Sequence, residues 1–159
     1  MSLRSLLCVL TAVIFAGTSC GSGMGKRPFL IAQVCLQNAE DLSAFTRQMQ
    51  FIARSEGKTL TDHSANTQSE LDMLGQPVEK SRMRPVVNMG IERRDGSGVL
   101  VANLGLPGYQ VALGFSEGSN LAAAQKFAQM VVSKLEERWR IEIVPTPTKS
   151  AAQPMTNCN

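Results

Sequence analysis

The sequence predicts an α+β fold, an antiparallel sheet with two helices packed on one face. Three observations carry this expectation. Two long segments, beginning near Asn38 and Asn120, place apolar residues at helical spacing behind a capping residue. Between them lie three runs that alternate apolar residues with smaller or polar ones, separated by turn chemistry. Short apolar runs at 29–36 and 141–143 stand before the first helix and after the second.

The first run, Phe29 to Leu36, is apolar throughout except at Gln33, which suits a central strand covered on both faces. Asn38 stands where an N-cap belongs, with Asp41 three residues on, and Leu42, Phe45, Met49 and Ile52 then share one helical face. Gly57 supplies a stop. A short strand at Thr59 to Asp62 is followed by a polar loop, His63 to Ser69, with a helical turn or two around Leu71 and Leu74. Pro77 and Pro85 bracket an irregular connection.

Val87, Met89 and Ile91 alternate with Asn88, Gly90 and Glu92, and Asp95 with Gly96 provides a hairpin turn before the strand Val99 to Leu104. Tyr109, Val111, Leu113 and Phe115 continue the meander. Ser119 or Asn120 caps the second long helix, whose Leu121, Ala124, Phe127, Ala128, Val131 and Leu135 form its apolar stripe. Lys134, Arg138 and Arg140 sit at its negative pole. Ile141 and Ile143 make a last strand, stopped by Pro145 and Pro147. This order fits a ferredoxin-like arrangement with an extra hairpin, in a single domain spanning 28–145. The tail 146–159 has the composition of a disordered segment unless Cys158 ties it down.

Residues 1–19 read as a secretion signal: Arg4, then an uncharged run from Leu6 to Phe15, then Ala16, Gly17, Thr18 and Ser19. The apolar run is about ten residues, against the roughly 20 that a spanning helix needs. The small residues ending at Cys20 resemble the lipobox of bacterial lipoproteins, with Gly17 standing where that pattern has leucine. The resemblance implies that Cys20 is acylated and becomes the mature N-terminus, and Gly21 after it implies the outer membrane. Cleavage by the ordinary signal peptidase after Thr18 or Ser19, giving a secreted or soluble periplasmic protein, satisfies the small-residue rule as well. Residues 20–27 form a glycine-rich tether.

Once Cys8 leaves with the signal and Cys20 is lipidated, Cys35 and Cys158 remain, an even number suited to an oxidising compartment. A bridge between them would stabilise the chain by as much as about 4–5 kcal/mol through the long loop it closes. The alternative is a buried free Cys35 and a loose Cys158. Without Arg4 the chain carries 15 basic against 13 acidic residues, mixed in sign along the chain, and nothing in that balance attracts nucleic acid. Lys80, Arg82, Arg84, Arg93 and Arg94 read as a solvated loop and hairpin end before they read as a basic patch.

The one motif with a catalytic look is Gly114, Phe115, Ser116, Glu117, Gly118, which matches the G-x-S-x-G nucleophile elbow between a strand and a helix. A serine needs a base, and the sole histidine is His63, upstream beside Asp62. The simpler reading makes 114–120 a strand-to-helix connection with turn glycines and capping side chains. The histidine and the dispersed cysteines give no metal-ligand spacing, and no cofactor motif is present in the sequence. Trp139 and Tyr109 are candidate anchors, Trp139 reading more simply as a lid on the core. By exclusion, the sequence favours a non-enzymatic envelope module that binds another protein as inhibitor or scaffold and reaches the membrane through its anchor. The alternatives are a small hydrolase using Ser116, His63 and Asp62, and a structural envelope lipoprotein.

Overall fold

The structure is a computed structural model that describes residues 28–73, 85–104, 106–144, 155 and 158. The signal, the tether with Cys20, and Lys80, Arg82 and Arg84 lie outside the described residues. In chain order the elements are β1 (Leu30–Leu36), α1 (Ala39–Ser55), β2 (Thr61–Asp62), α2 (Ser64–Met73), β3 (Asn88–Glu92), β4 (Ser97–Ala102), β5 (Tyr109–Glu117), α3 (Leu121–Glu136) and β6 (Arg140–Val144). The strands form one sheet in the order β2-β3-β4-β5-β1-β6, and every neighbouring pair is antiparallel. β1 therefore lies between β5 and β6, and α3 carries the chain over it. The four strands β4-β5-β1-β6 have the ferredoxin-like order, with β2 and β3 added beyond β4.

One face of the sheet carries α1 and α3. Strand parity sends Ala32, Val34 and Leu36 of β1, Met89 and Ile91 of β3, Val99 and Val101 of β4, and Val111, Leu113 and Phe115 of β5 to that face, where all are buried. They meet Phe45, Met49 and Ile52 of α1 and Phe127, Ala128, Val131 and Leu135 of α3 in a single core. Both helices start where their caps require. Asn38 accepts the Asp41 N–H at 2.9 Å, and the Asp41 carboxylate accepts the Gln37 N–H at 2.9 Å. Asn120, rather than Ser119, caps α3 by accepting the Ala123 N–H at 3.0 Å. Trp139 is 8% exposed and meets Phe45 edge-on at 5.8 Å, so it closes the core as a lid.

Two segments differ from the sequence expectation. The polar stretch after His63, expected as loop, is the helix α2. It has no buried residue and gained no apolar signal; polar contacts hold it, with Thr67 Oγ1 accepting from Asn88 Nδ2 at 2.8 Å and Ser64 Oγ accepting the Asn88 N–H at 3.0 Å. β5 runs on to Glu117, so the expected connection 114–120 shrinks to residues 118–120. The reason is pairing: Ser116 stands opposite Gly98 and Glu117 opposite Ser97, which extends the β4–β5 ladder through the motif.

At the β3–β4 turn Arg93 ties three elements together. Its guanidinium donates to the Ala123 carbonyl at 3.1 Å and Ser97 Oγ at 3.3 Å, and lies 5.2 Å from the Phe127 ring centroid and 3.7 Å from Glu56 Oε2. Ser97 in turn donates to Asp95 through its hydroxyl at 2.6 Å and its N–H at 3.1 Å. The Ser97 hydroxyl first, and the nearby Arg93 charge among smaller causes, hold the Asp95 carboxyl below the usual aspartate range. Arg93 is thus a structural cation engaged on several sides.

Candidate functional site

The face of the sheet away from α1 and α3 is built from the other parity: Asn88, Gly90 and Glu92 of β3, Gly98, Leu100 and Ala102 of β4, and Gln110, Ala112, Gly114 and Ser116 of β5. Apart from Leu100, the positions on β4 and the middle of β5 are glycine, alanine or serine. The result is a groove of about 350 Å³ whose lining includes Thr61, His63, Gly90, Leu100, Gly114 and Ser116, with Pro28 and Glu92 at its margins. Gly90, Leu100 and Gly114 sit in one cross-strand row, so the floor is bare backbone on either side of one leucine.

The glycines of this region are not equivalent. A Cβ at Gly98 would collide with the Ile91 carbonyl, so close approach of β3 to β4 dictates that residue. Gly114 is under no such constraint. Its backbone is not left-handed, and a Cβ there would make ordinary contact with the Pro28 ring at 3.5 and 3.7 Å. Glycine inside a strand costs about 0.5–1 kcal/mol relative to alanine. Its effect here is to keep the groove floor open.

The structure separates the residues of a Ser-His-Asp reading. Ser116 stands in the Glu92–Gly98 row, whereas His63 continues β2 opposite Asn88, four residues away along β3 and three strands across. With strands about 4.8 Å apart and a rise of about 3.3 Å per residue, their backbones are roughly 20 Å apart. Asp62 does not orient His63; its carboxylate accepts the Ser64 N–H at 2.9 Å and caps α2. The Ser116 hydroxyl faces the Gly96 and Gly98 carbonyls, each at 3.5 Å, which accept a proton's hydrogen bond without removing the proton. Ser116 also lies within a regular strand, whereas the elbow needs its serine on a sharp turn. Ser116→Ala is expected to cost at most about 1 kcal/mol in a denaturant melt. A fluorophosphonate probe should leave the wild-type serine unlabelled, and stoichiometric labelling would restore the hydrolase.

Among the described residues no group of three or more His, Cys, Asp or Glu side chains is placed to hold a metal ion. None of the described helices is long and apolar enough to cross a membrane.

Cys35 and Cys158 are joined by a disulfide across 123 positions of sequence, with their Cα atoms 5.4 Å apart. Cys35 points to the face away from α1 and α3, and Met155 and Cys158, from the stretch expected as a disordered tail unless Cys158 ties it down, are each 6% exposed against it. Gln110 reads Met155 in both directions: its Oε1 accepts the Met155 N–H at 2.9 Å and its Nε2 donates to the Met155 carbonyl at 3.5 Å. The face away from α1 and α3 is therefore divided. Around Gln33, Cys35 and Gln110 it is buried; around Gly90, Leu100 and Gly114 it is the groove.

Sequence reasoning singled out His63 and Ser116 and read Gly114 as a turn glycine, whereas it lies within β5; it missed Thr61, Gly90, Glu92 and Leu100, which line the groove with them. The available signal was parity: in the two strands after the Asp95-Gly96 turn, the residues that alternate with the core set include Gly98, Ala102, Ala112, Gly114 and Ser116, all small. Comparisons with protein-family models, with curated proteins and with solved structures find no match for this chain.

Proposed function

We propose that this chain is a lipid-anchored envelope protein that binds an extended segment of a partner protein in the groove on the sheet face away from α1 and α3, without catalysing a reaction. The observation that supports this reading is Gly114, a mid-strand glycine required by neither a left-handed backbone nor a close approach, which leaves the groove floor bare. From the Glu92 row to the His63 row the groove spans four residues of strand, about 13 Å, the length of a short extended peptide. Small-molecule sites enclose some 70–90% of their ligand. A groove on the surface of a sheet instead suits a chain that passes across it. Thr61 and His63 on one side and Glu92 at the end supply polar groups around an apolar centre at Leu100.

The test is photo-crosslinking in a bacterial envelope. A benzophenone side chain at Glu92 should give a discrete protein adduct, one at Lys126 on α3 should not, and Gly114→Val should abolish the adduct at 92. Gly114→Ala should fold and gain about 0.5–1 kcal/mol in a denaturant melt, which separates the groove from stability. Cys20→Ser should release the protein from the membrane fraction. Equal adducts at 92 and 126, or an adduct at 92 that persists in Gly114→Val, would remove the groove as the binding site.

A further inference from the structure

Resting on the reading of this groove as the binding site, we infer that the bound segment places an aromatic ring in the slot above Gly114 and, two positions along, a lysine or arginine against Glu92. The slot is defined by what flanks the bare glycine. Leu100 of β4 and Ile31 of β1 stand opposite Gly114 on its two sides. The Pro28 ring, just before β1, lies 3.5 and 3.7 Å from where a Cβ at Gly114 would be. Leu100 leans the other way, with its Cδ1 3.9 Å from the corresponding point at Gly90. The hollow on the Gly90 side is therefore filled by the protein's own leucine, and the one over Gly114 is left open between apolar walls.

Width selects the ring. β4 and β1 lie two strand spacings apart across β5, about 9.6 Å. A ring is one atom thick, and carbon contacts on both of its faces need about 7–8 Å in all. A planar side chain therefore stands on the Gly114 backbone with one face to Leu100 and the other to Pro28, where it shields the bare glycine. A branched aliphatic chain is thicker and would push one wall aside. Charge selects the second residue. Among the described lining residues Glu92 is the one carboxylate, and no lysine or arginine joins it. Glu92 is exposed, and among the described residues its side chain has no hydrogen bond or ion pair. Its neighbour on β4 is Gly98, so no side chain stands between it and Ser116. From Gly114 to Glu92 is two residues along the strands and two strands across, about 12 Å. An extended segment returns a side chain to the same face every second residue, about 6.6 Å further on, and the stem of a lysine or arginine spans the rest.

Titration of the intact protein with three blocked tripeptides, followed by NMR at the Gly114, Leu100 and Ser116 amides, tests both contacts. The probes are acetyl-Phe-Gly-Arg-amide, acetyl-Leu-Gly-Arg-amide and acetyl-Phe-Gly-Glu-amide. The first is expected to bind about threefold tighter than the second, through its ring, and about fivefold tighter than the third, through its charge. Glu92→Gln should bring the preference for arginine over glutamate below about twofold and keep that for phenylalanine over leucine. A leucine peptide that binds as tightly as the phenylalanine one, an arginine preference unchanged in Glu92→Gln, or no shift at the three amides with any peptide up to about 10 mM overturns the proposal. The crosslinking experiment at Glu92 fails or succeeds separately, because it asks whether a partner occupies the groove and requires no particular sequence in that partner.

Discussion

Gly118→Ala is expected to destabilise the protein by about 3 kcal/mol or more, lowering its melting temperature by about 10 °C. Gly118 has φ +62°, a left-handed conformation that costs a side-chain-bearing residue about 1–2 kcal/mol. The larger part is steric. A Cβ at this position would run into the Ser97 nitrogen, lie 2.5 Å from the Asp95 carbonyl oxygen and 2.9 Å from the Gly96 carbonyl carbon, all backbone atoms of the β3–β4 turn. Neither side can yield freely. The Ser119 N–H donates to that same Asp95 carbonyl at 2.8 Å, and Ser97 is bound to Asp95 through both hydroxyl and N–H. The two turns are packed backbone against backbone, and glycine is the residue that allows it. A loss below about 1 kcal/mol in a thermal or urea melt would mean that the turns move apart at little cost, and the argument for this contact would fail.

Phe115→Ala should cost about 3–5 kcal/mol, the usual penalty for removing a buried aromatic ring. Phe115 is fully buried at the end of β5 and meets the Phe127 ring of α3 at 6.4 Å in an edge arrangement, with Arg93 lying over the other ring. Truncation would open a cavity beneath the start of α3, which the rigid strand pairing on either side leaves little means of closing. A double-mutant cycle with Phe127→Ala should return a coupling of about 0.5–1.5 kcal/mol beyond the separate losses. Denaturant midpoints measure both. A loss under about 1.5 kcal/mol for Phe115→Ala would show that α3 is not seated on β5 at this position. Set beside the mild Ser116→Ala, these results would assign the G-x-S-x-G string to architecture: Phe115 and Gly118 stabilise, and the serine does not.

The same string shows where local sequence reasoning reached its limit. The strand, the turn at Gly118 and the helix cap were legible, because they depend on parity, backbone conformation and a side chain bonding three residues ahead; Gly114, expected to turn the chain, lies within β5. How far β5 extends was not, because the extension to Glu117 rests on pairing with Ser97, twenty residues earlier. The helix α2 was missed for a related reason. Its sequence has no apolar face, and what fixes it is Asn88, a strand residue 21 positions after Thr67. Trp139 was legible as a lid because its place at the end of an amphipathic helix determines which way it packs.

By itself the sequence determined the α+β class, the two capped helices, the β3–β4 hairpin and the residues of the core. Each follows from periodicity and local hydrogen bonding, which act over a few residues. Only the tertiary structure decided that His63 and Ser116 share a groove yet lie too far apart to share a proton. It alone decided that Gly114 opens a floor while Gly118 relieves a collision, and that Cys158 returns to the sheet at Cys35. Those outcomes depend on strand order and register, which bring together residues as many as 123 positions apart. Such contacts are selected by the packing of the whole chain, and no window of sequence contains both partners.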